Sequence, residues 1–202
     1  KYENLNIITC HLGNGCSMAA IKEGKVVDTT MGMTPLEGLM MGTRCGDIDP
    51  AIVTWLADQG NTTAEINNIM NKKSGILGVA GTGSSDMRDL LKAVENGEER
   101  AKIAFKMFTR RVAQYIGAYA VTLKRPDVIV FTGGVGEHGR AVREEIVNSL
   151  AVFNTRIDAE ANEAAFGTAG IISTDDSALK VVVMPTDEEL KIAQSTMEVL
   201  NK

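Results

Sequence analysis

Asp127-Val-Ile-Val-Phe-Thr-Gly-Gly-Val-Gly-Glu137 decides how the rest of the chain reads. Its apolar half, up to Phe131, reads as a buried strand. Arg140 to Leu150 behind it reads as a helix, so the glycines lie between a strand end and a helix start. Such a turn suits phosphate, because glycine lets the backbone approach closely and the free N–H groups of a helix start face an anion. Working outward, His11-Leu-Gly-Asn-Gly15 repeats the device after the apolar run from Leu5 to Cys10. Two glycine turns at strand ends favour a nucleotide site over an isolated turn.

The spacing Gly134-x-Gly136-x-x-Gly139 also matches the dinucleotide fingerprint. That fingerprint normally opens the first βαβ unit of its domain, whereas this one lies in the last third of the chain. A phosphate or adenosine loop is the stronger reading. A ligand-free left-handed turn stays open.

Composition narrows the classes. The chain has 202 residues, 44% of them hydrophobic, and a net charge of −5. That length suits one large domain or two small ones with a real core. The acidic balance argues against a nucleic-acid partner. No apolar run approaches the roughly 18 residues needed to span a bilayer. The first residues carry no signal-peptide pattern. Cys10, Cys16 and Cys45 are odd in number and lack CxxC spacing, and there are two histidines. This suits a reducing cytoplasm and argues against structural zinc.

Residues 5–12, 16–22 and 25–30 read as three strands joined by tight turns. A loop dense in glycine and methionine covers 31–46. Helices are expected from Asp49-Pro50 to about Asp58, with Asp49 as N-cap, and after a Thr62/Glu65 capping box, ending near Lys73. Another opens at Ser84-Ser-Asp-Met-Arg-Asp89. The longest, 98–124, carries an apolar stripe through Ala101, Phe105, Phe108, Val112, Tyr115, Tyr119 and Leu123. Strands near 127–132, 170–173 and 180–184 and a last helix, 187–200, complete a mixed sheet covered by helices.

Each candidate residue has two readings. His11 ends the first strand beside a flexible turn; it is a ligand contact or a hydrogen-bonded structural residue. Asn14 is a ligand contact or simply the left-handed residue of its turn, the better reading from local pattern. Arg44, the only cation between Lys25 and Lys72, suits bidentate capture of phosphate or carboxylate, or pins its loop through carbonyls. Asp86 fits ordinary helix capping, with Arg88 and Asp89 beside it. Glu188 and Glu189 complement a helix dipole, and a magnesium role needs more than that.

Taken in order, several blocks resemble acetate kinase. They are His11-Leu-Gly-Asn-Gly15, Thr34-Pro-Leu-Glu-Gly-Leu-Met-Met-Gly-Thr-Arg44 with Gly46-Asp-Ile-Asp-Pro50, Ser85-Asp-Met-Arg-Asp89, Phe131-Thr-Gly-Gly-Val-Gly-Glu137 and Pro185-Thr-Asp-Glu-Glu-Leu190. The resemblance spans nearly the whole chain. It implies an α/β, ribonuclease-H-like (actin-like ATPase) domain, with hairpin strands first and alternating helices and strands after. It further implies that residues 1–202 are a single C-terminal domain, the family's N-terminal domain being absent.

The implied reaction moves the γ-phosphoryl group of ATP reversibly to acetate, giving ADP and acetyl phosphate. Arg44 and His11 are the implied catalytic residues. His11, Leu12, Gly13, Asn14 and Gly15, then Asp86, Met87 and Arg88, then Gly133, Gly134, Val135, Gly136, Glu137 and His138 are the implied nucleotide contacts. Glu188 is the implied ligand of Mg2+, directly or through water. A cytoplasmic homodimer paired through this domain is also implied. Cys16 and Cys45 stand where Ser or Ala is usual, and His138 and Asp187 where Asn is common. A propionate or butyrate kinase and a non-catalytic actin-like or Hsp70-like module are the alternatives; the Arg44 block has no evident use in the latter.

Overall fold

In the computed structural model, which describes residues 2–201, the N-terminal apolar runs form an antiparallel meander. Its strands are β1 (Asn6–Leu12), β2 (Cys16–Lys22) and β3 (Lys25–Thr29). Helix α1 (Ala51–Asp58) follows the long loop, with Asp49 Oδ1 accepting from the Ala51 amide at 2.9 Å as the expected cap. Helix α2 (Thr63–Lys72) starts on the complete Thr62/Glu65 capping box.

Helix α3 (Gly75–Ala80) has no counterpart in the sequence reading. Its sequence, Gly-Ile-Leu-Gly-Val-Ala, has poor intrinsic helix propensity. Tertiary contacts hold it instead. The amides of Ile76 and Leu77 donate to the carbonyls of Met41 and Gly42. At the other end, Arg100 donates to the carbonyls of Gly78 and Val79.

Helix α4 (Met87–Glu95) begins at its Asp86 N-cap, and α5 (Glu99–Leu123) runs for 25 residues. The chain then enters β4 (Val128–Thr132). The glycine stretch behind it is not an open loop: Gly133–His138 forms a short helix, α6, before α7 (Arg140–Asn148). Two short pieces, α8 (Ala159–Ala164) and β5 (Gly170–Ile171), lead to β6 (Lys180–Val183) and α9 (Glu188–Leu200).

The sheet order is β3-β2-β1-β4-β6-β5, with β1, β4 and β6 parallel and the remaining pairs antiparallel. This is the mixed α/β architecture that the resemblance implies. Ile8, Cys10 and Leu12 of β1, Ile129 and Phe131 of β4, and Val181 and Val183 of β6 point into one core. Phe108, Val112 and Ile116 of α5 and Val142 and Ile146 of α7 complete it. Each such fully buried side chain contributes about 1.5–3 kcal/mol. Of the expected α5 stripe, Tyr115 alone is only half-buried. Its hydroxyl donates to Asp47 Oδ2 at 2.5 Å, tying α5 to the Arg44 loop.

Parallel strands end on a common edge. The carboxyl ends of β1, β4 and β6 release the turn at Gly13, helix α6 and the approach to α9 on that edge. In a sheet of this kind, ligands bind outside the carboxyl ends of the strands.

Candidate nucleotide site

A cavity of about 680 Å3 opens there. Gly13 and Asn14 line it from the β1–β2 turn, Asp86, Met87 and Arg88 from the start of α4, and Gly134, Val135 and His138 from α6. Eight of the expected nucleotide contacts therefore come together from segments far apart in sequence.

Asn14 is not a left-handed residue: the non-glycine residues with positive φ are Glu23, Lys124 and Asn154. The structure therefore discards the turn reading of Asn14. Its carbonyl accepts from the Gly42 amide at 3.2 Å. A Cβ on Gly42 would stand 2.2 Å from Asn14 Oδ1, so the glycine leaves room for that side chain. Gly133 does adopt the left-handed conformation, at φ +77°, and a Cβ there would meet the Leu12 carbonyl oxygen at 2.8 Å. Gly134 faces open space. The first glycine makes the close approach and the second leaves the cavity clear.

Asp86 caps α4, accepting the Arg88 amide at 2.8 Å, and also receives the Arg88 guanidinium at 2.6 Å. The Arg88 hydrogen bonds hold the Asp86 carboxyl down at about 2. Capping is therefore real, and it fixes a charged pair on the cavity rim.

His138 is held by Nδ1, 3.1 Å from the Gly134 carbonyl. Its ring meets Phe166 edge-on at 4.8 Å, and the Arg140 guanidinium lies 4.4 Å from the centre of that same ring. Phe166, Ile76 and Leu91 also line the cavity and are part of its apolar lining. None of these three was singled out from sequence. Phe166 had a weak signal, as the one aromatic in the stretch Ala159 to Gly170.

The other expected residues lie elsewhere. Leu12 is wholly buried in the core, so its side chain does not reach the cavity. Gly136 is on the buried side of α6, where a Cβ would lie 3.4 Å from the Phe131 carbonyl carbon. His11 and Gly15 flank the turn without lining the cavity; His11 sits on the opposite face of β1 from the core residues. Arg44 stands beside that turn, with Nη1 3.3 Å from where a Gly15 Cβ would be. It donates weakly to the Pro35 carbonyl, at 3.4 Å, and makes no ion pair among the described residues. Loop pinning alone therefore leaves most of its donors uncommitted.

Glu188 is exposed in the first turn of α9. Asp187 serves as the α9 N-cap, accepting the Leu190 amide at 2.9 Å. Glu137 turns its carboxylate toward β4 and the approach to α9, where Oε1 accepts from the Gly133 amide and from Thr186. Among the described residues, no group of three or more His, Cys, Asp or Glu is placed to hold a metal.

Beneath the site lies a residue that sequence reading missed. Arg143 of α7 is completely buried. Its guanidinium donates to the carbonyls of Gly136, Glu137, Asn162 and Ala165 and to Asn162 Oδ1, at 2.8–3.1 Å. Desolvation lowers its pKa to about 10, which leaves it charged at neutral pH. The sequence does carry a signal: Arg143 stands three, four and seven residues before Ile146, Val147 and Leu150, on the apolar face of α7, but residue type alone assigns it to the surface.

The sequence profile of the acetokinase family matches residues 1–194. The chain belongs to the acetokinase family. An acetate kinase of Oleidesulfovibrio alaskensis is 55% identical over 199 residues, and one of Clostridium novyi is 53% identical over 201. These alignments cover 98% and 99% of this chain but 49% and 50% of those proteins. The crystal structure of Porphyromonas gingivalis acetate kinase superposes with a TM-score of 0.93 at 47% identity, over 99% of this chain and 50% of that one. A propionate kinase from Francisella tularensis gives 0.88 at 41%, over 94% and 48%. The chain thus spans about half the length of the curated relatives it matches. Among the described residues, no helix is long and apolar enough to cross a membrane.

Proposed function

We propose that this chain forms the nucleotide-binding half of an acetate kinase, which transfers the γ-phosphoryl group of ATP reversibly to acetate. The observation that carries this reading is the single cavity shared by the β1–β2 turn, the start of α4 and α6, in a chain 53–55% identical to acetate kinases. A carboxylate oxygen of acetate attacks the γ-phosphorus, the bond to the β–γ bridging oxygen breaks, and ADP leaves. Both reactants are anions, so catalysis is mainly positioning and charge neutralisation.

Gly13 and Asn14 hold the phosphates, with Gly15, Arg44 and His11 beside them, Arg44 and His11 meeting the moving phosphoryl group or the carboxylate. Asp86 to Arg88 and the α6 turn frame the nucleoside, and the apolar lining from Ile76, Leu91 and Phe166 suits a base. Glu188 offers one hard carboxylate oxygen free of ion pairs among the described residues. Mg2+ takes one or two carboxylates and completes its shell with phosphate and water, so the residues fit. When bound, it would neutralise phosphate charge.

Self-association into a homodimer is supported by exposed apolar residues. Ile52, Val53 and Trp55 stand exposed on α1, which has no buried residue, and Ile103, Met107 and Val121 on α5. Three free cysteines suit the cytoplasm. Propionate remains a second acyl acceptor, on the likeness to the Francisella protein.

The test is calorimetric titration of the purified chain with ATP and ADP, followed by an acetyl-phosphate assay with acetate or propionate. Nucleotide binding without turnover is expected, because the family resemblance places further catalytic groups in another domain. Absence of nucleotide binding at millimolar concentration would refute the reading.

A further inference from the structure

Glu137 sits in the glycine turn, yet its carboxylate is turned away from the cavity. Oε1 accepts from the Gly133 amide at 2.9 Å, the Thr186 amide at 3.1 Å and the Thr186 hydroxyl at 3.2 Å, with a longer contact to the Thr132 hydroxyl at 3.4 Å. These donors belong to two segments, the exit of β4 and the stretch between β6 and α9, whose backbones also meet where the Met184 amide donates to the Phe131 carbonyl at 2.9 Å; Glu137 extends that junction to Gly133 at the start of α6 and to Thr186. Thr186 lies 49 residues from Glu137 in sequence and two before Glu188. Glu137 is also anchored through its backbone, where its carbonyl receives the Arg143 guanidinium and the Gly167 amide.

From this geometry we infer that Glu137 is a positioning residue: one carboxylate oxygen locks α6 to the start of α9, and so fixes where Glu188 stands relative to the bound phosphates. It acts through Gly133 and Thr186 rather than by touching nucleotide. Charge-assisted hydrogen bonds of this kind are the strong ones. Gly133 is also the residue whose left-handed backbone abuts Leu12, so the carboxylate holds the turn at its tightest point. The inference rests on the nucleotide and magnesium reading above for its consequence, but the lock itself is independent of that reading.

The two roles make opposite demands on the side chain. A lock needs an acceptor oxygen, which glutamine retains. A direct ligand of metal or phosphate-bound magnesium needs the charge, which glutamine lacks. The experiment compares Glu137→Ala, Glu137→Gln and Thr186→Val. Amide exchange is followed at Gly133 and Thr186 in the ligand-free chain, and the magnesium dependence of ADP affinity is measured by calorimetry.

For Glu137→Ala, exchange at Thr186 should rise about tenfold, the effect of losing one such hydrogen bond in a region that opens locally. Half-saturating magnesium should rise several-fold, while ADP affinity in chelator changes little. Glu137→Gln should recover most of both readouts, falling short of wild type by the lost charge assistance. Thr186→Val should raise magnesium demand while leaving Gly133 exchange unchanged. If Glu137→Gln raises magnesium demand as much as Glu137→Ala with Thr186 exchange restored, the carboxylate is a direct ligand and the inference falls. It falls equally if Glu137→Ala leaves Thr186 exchange unchanged. Should the wild-type chain bind no nucleotide, the kinase reading fails and the exchange measurements alone decide the lock.

Discussion

Replacing Arg143 by methionine should destabilise the chain by about 3–5 kcal/mol, the range found when a buried charge network loses one partner. The figure follows from its contacts. Arg143 supplies donors to five oxygens, all within 3.1 Å, and is fully buried. One of these, the Glu137 carbonyl, keeps the Gly167 amide at 3.1 Å. The others lose a charged donor, at about 1–3 kcal/mol for each acceptor left without a partner. Methionine recovers part of this by removing a buried cation and filling similar volume. Net stabilities lie at roughly 5–15 kcal/mol, so the variant should still fold, but marginally. In urea at neutral pH, a loss of about 4 kcal/mol with a slope near 3 kcal/mol/M moves the midpoint down by about 1.3 M. Arg143→Lys should fall between, because one ammonium cannot reach acceptors on both α6 and α8 as the planar guanidinium does. A midpoint shift below about 0.3 M for the methionine variant would refute the claim that this cation supports the turn.

In the enzyme that carries this chain, Arg44→Ala should lower kcat far more than nucleotide affinity, since a group meeting charge in flight acts mainly in the transition state; near-normal kcat in Arg44→Lys would point to a loop-pinning role. Glu188→Gln should raise the magnesium needed for half-maximal rate with little change in Tm, whereas Glu189→Gln shares the helix turn but points about 100° away and should not; equal effects would refute the assignment. Asp86 is held at about 2 against an ordinary 3.8 by Arg88, so its contribution to stability is full above the higher value and disappears as pH falls through the lower; Asp86→Asn should flatten that stretch of an acid-unfolding curve, and an unchanged curve would show that the pair contributes nothing. Burial raises all three cysteine pKa values, Cys16 to about 12 and Cys10 further, and Cys45 is the least buried; iodoacetamide at neutral pH should label Cys45 first and slowly, and prompt labelling of Cys10 would contradict the packing.

The strands were legible because each is a short apolar run punctuated by glycine, and α5 because its stripe recurs at helical spacing over many turns. Helix α3 was not legible, since its formation depends on carbonyls from Met41 and Gly42 rather than on its own residues. The glycine turn was read as a loop because glycine disfavours helix; the Glu137 carboxylate at its first amide and Arg143 at its last carbonyls overcome that preference. Within the site, Asn14, Asp86, Arg88 and His138 were found through motifs. Phe166, Ile76 and Leu91 carry no polar signature, and an apolar lining differs from core only in facing a cavity. Asp47 lay unremarked in the Gly46 block; it accepts from the Gly38 amide, Arg111 and Tyr115, three partners that adjacency in sequence could not disclose.

The position of β1 in the sheet has a kinetic meaning. It pairs with β2 across a tight turn on one side, but its other partner, β4, lies 121 residues away, as the Asn6 to Asp127 bond at their shared end records. Bringing those ends together forfeits about 4 kcal/mol of loop-closure entropy before any strand bond returns it. The meander can therefore assemble before β4 is made, while its inner edge waits, with unsatisfied amides and the apolar face of Ile8, Cys10 and Leu12 open, until β4 has emerged. A bare edge of that kind is a template for pairing with another nascent chain. Release experiments with chains ending before Val128 should give aggregates, and chains ending after Leu150 markedly fewer; the risk to this fold lies in the interval when its central strand has only one neighbour.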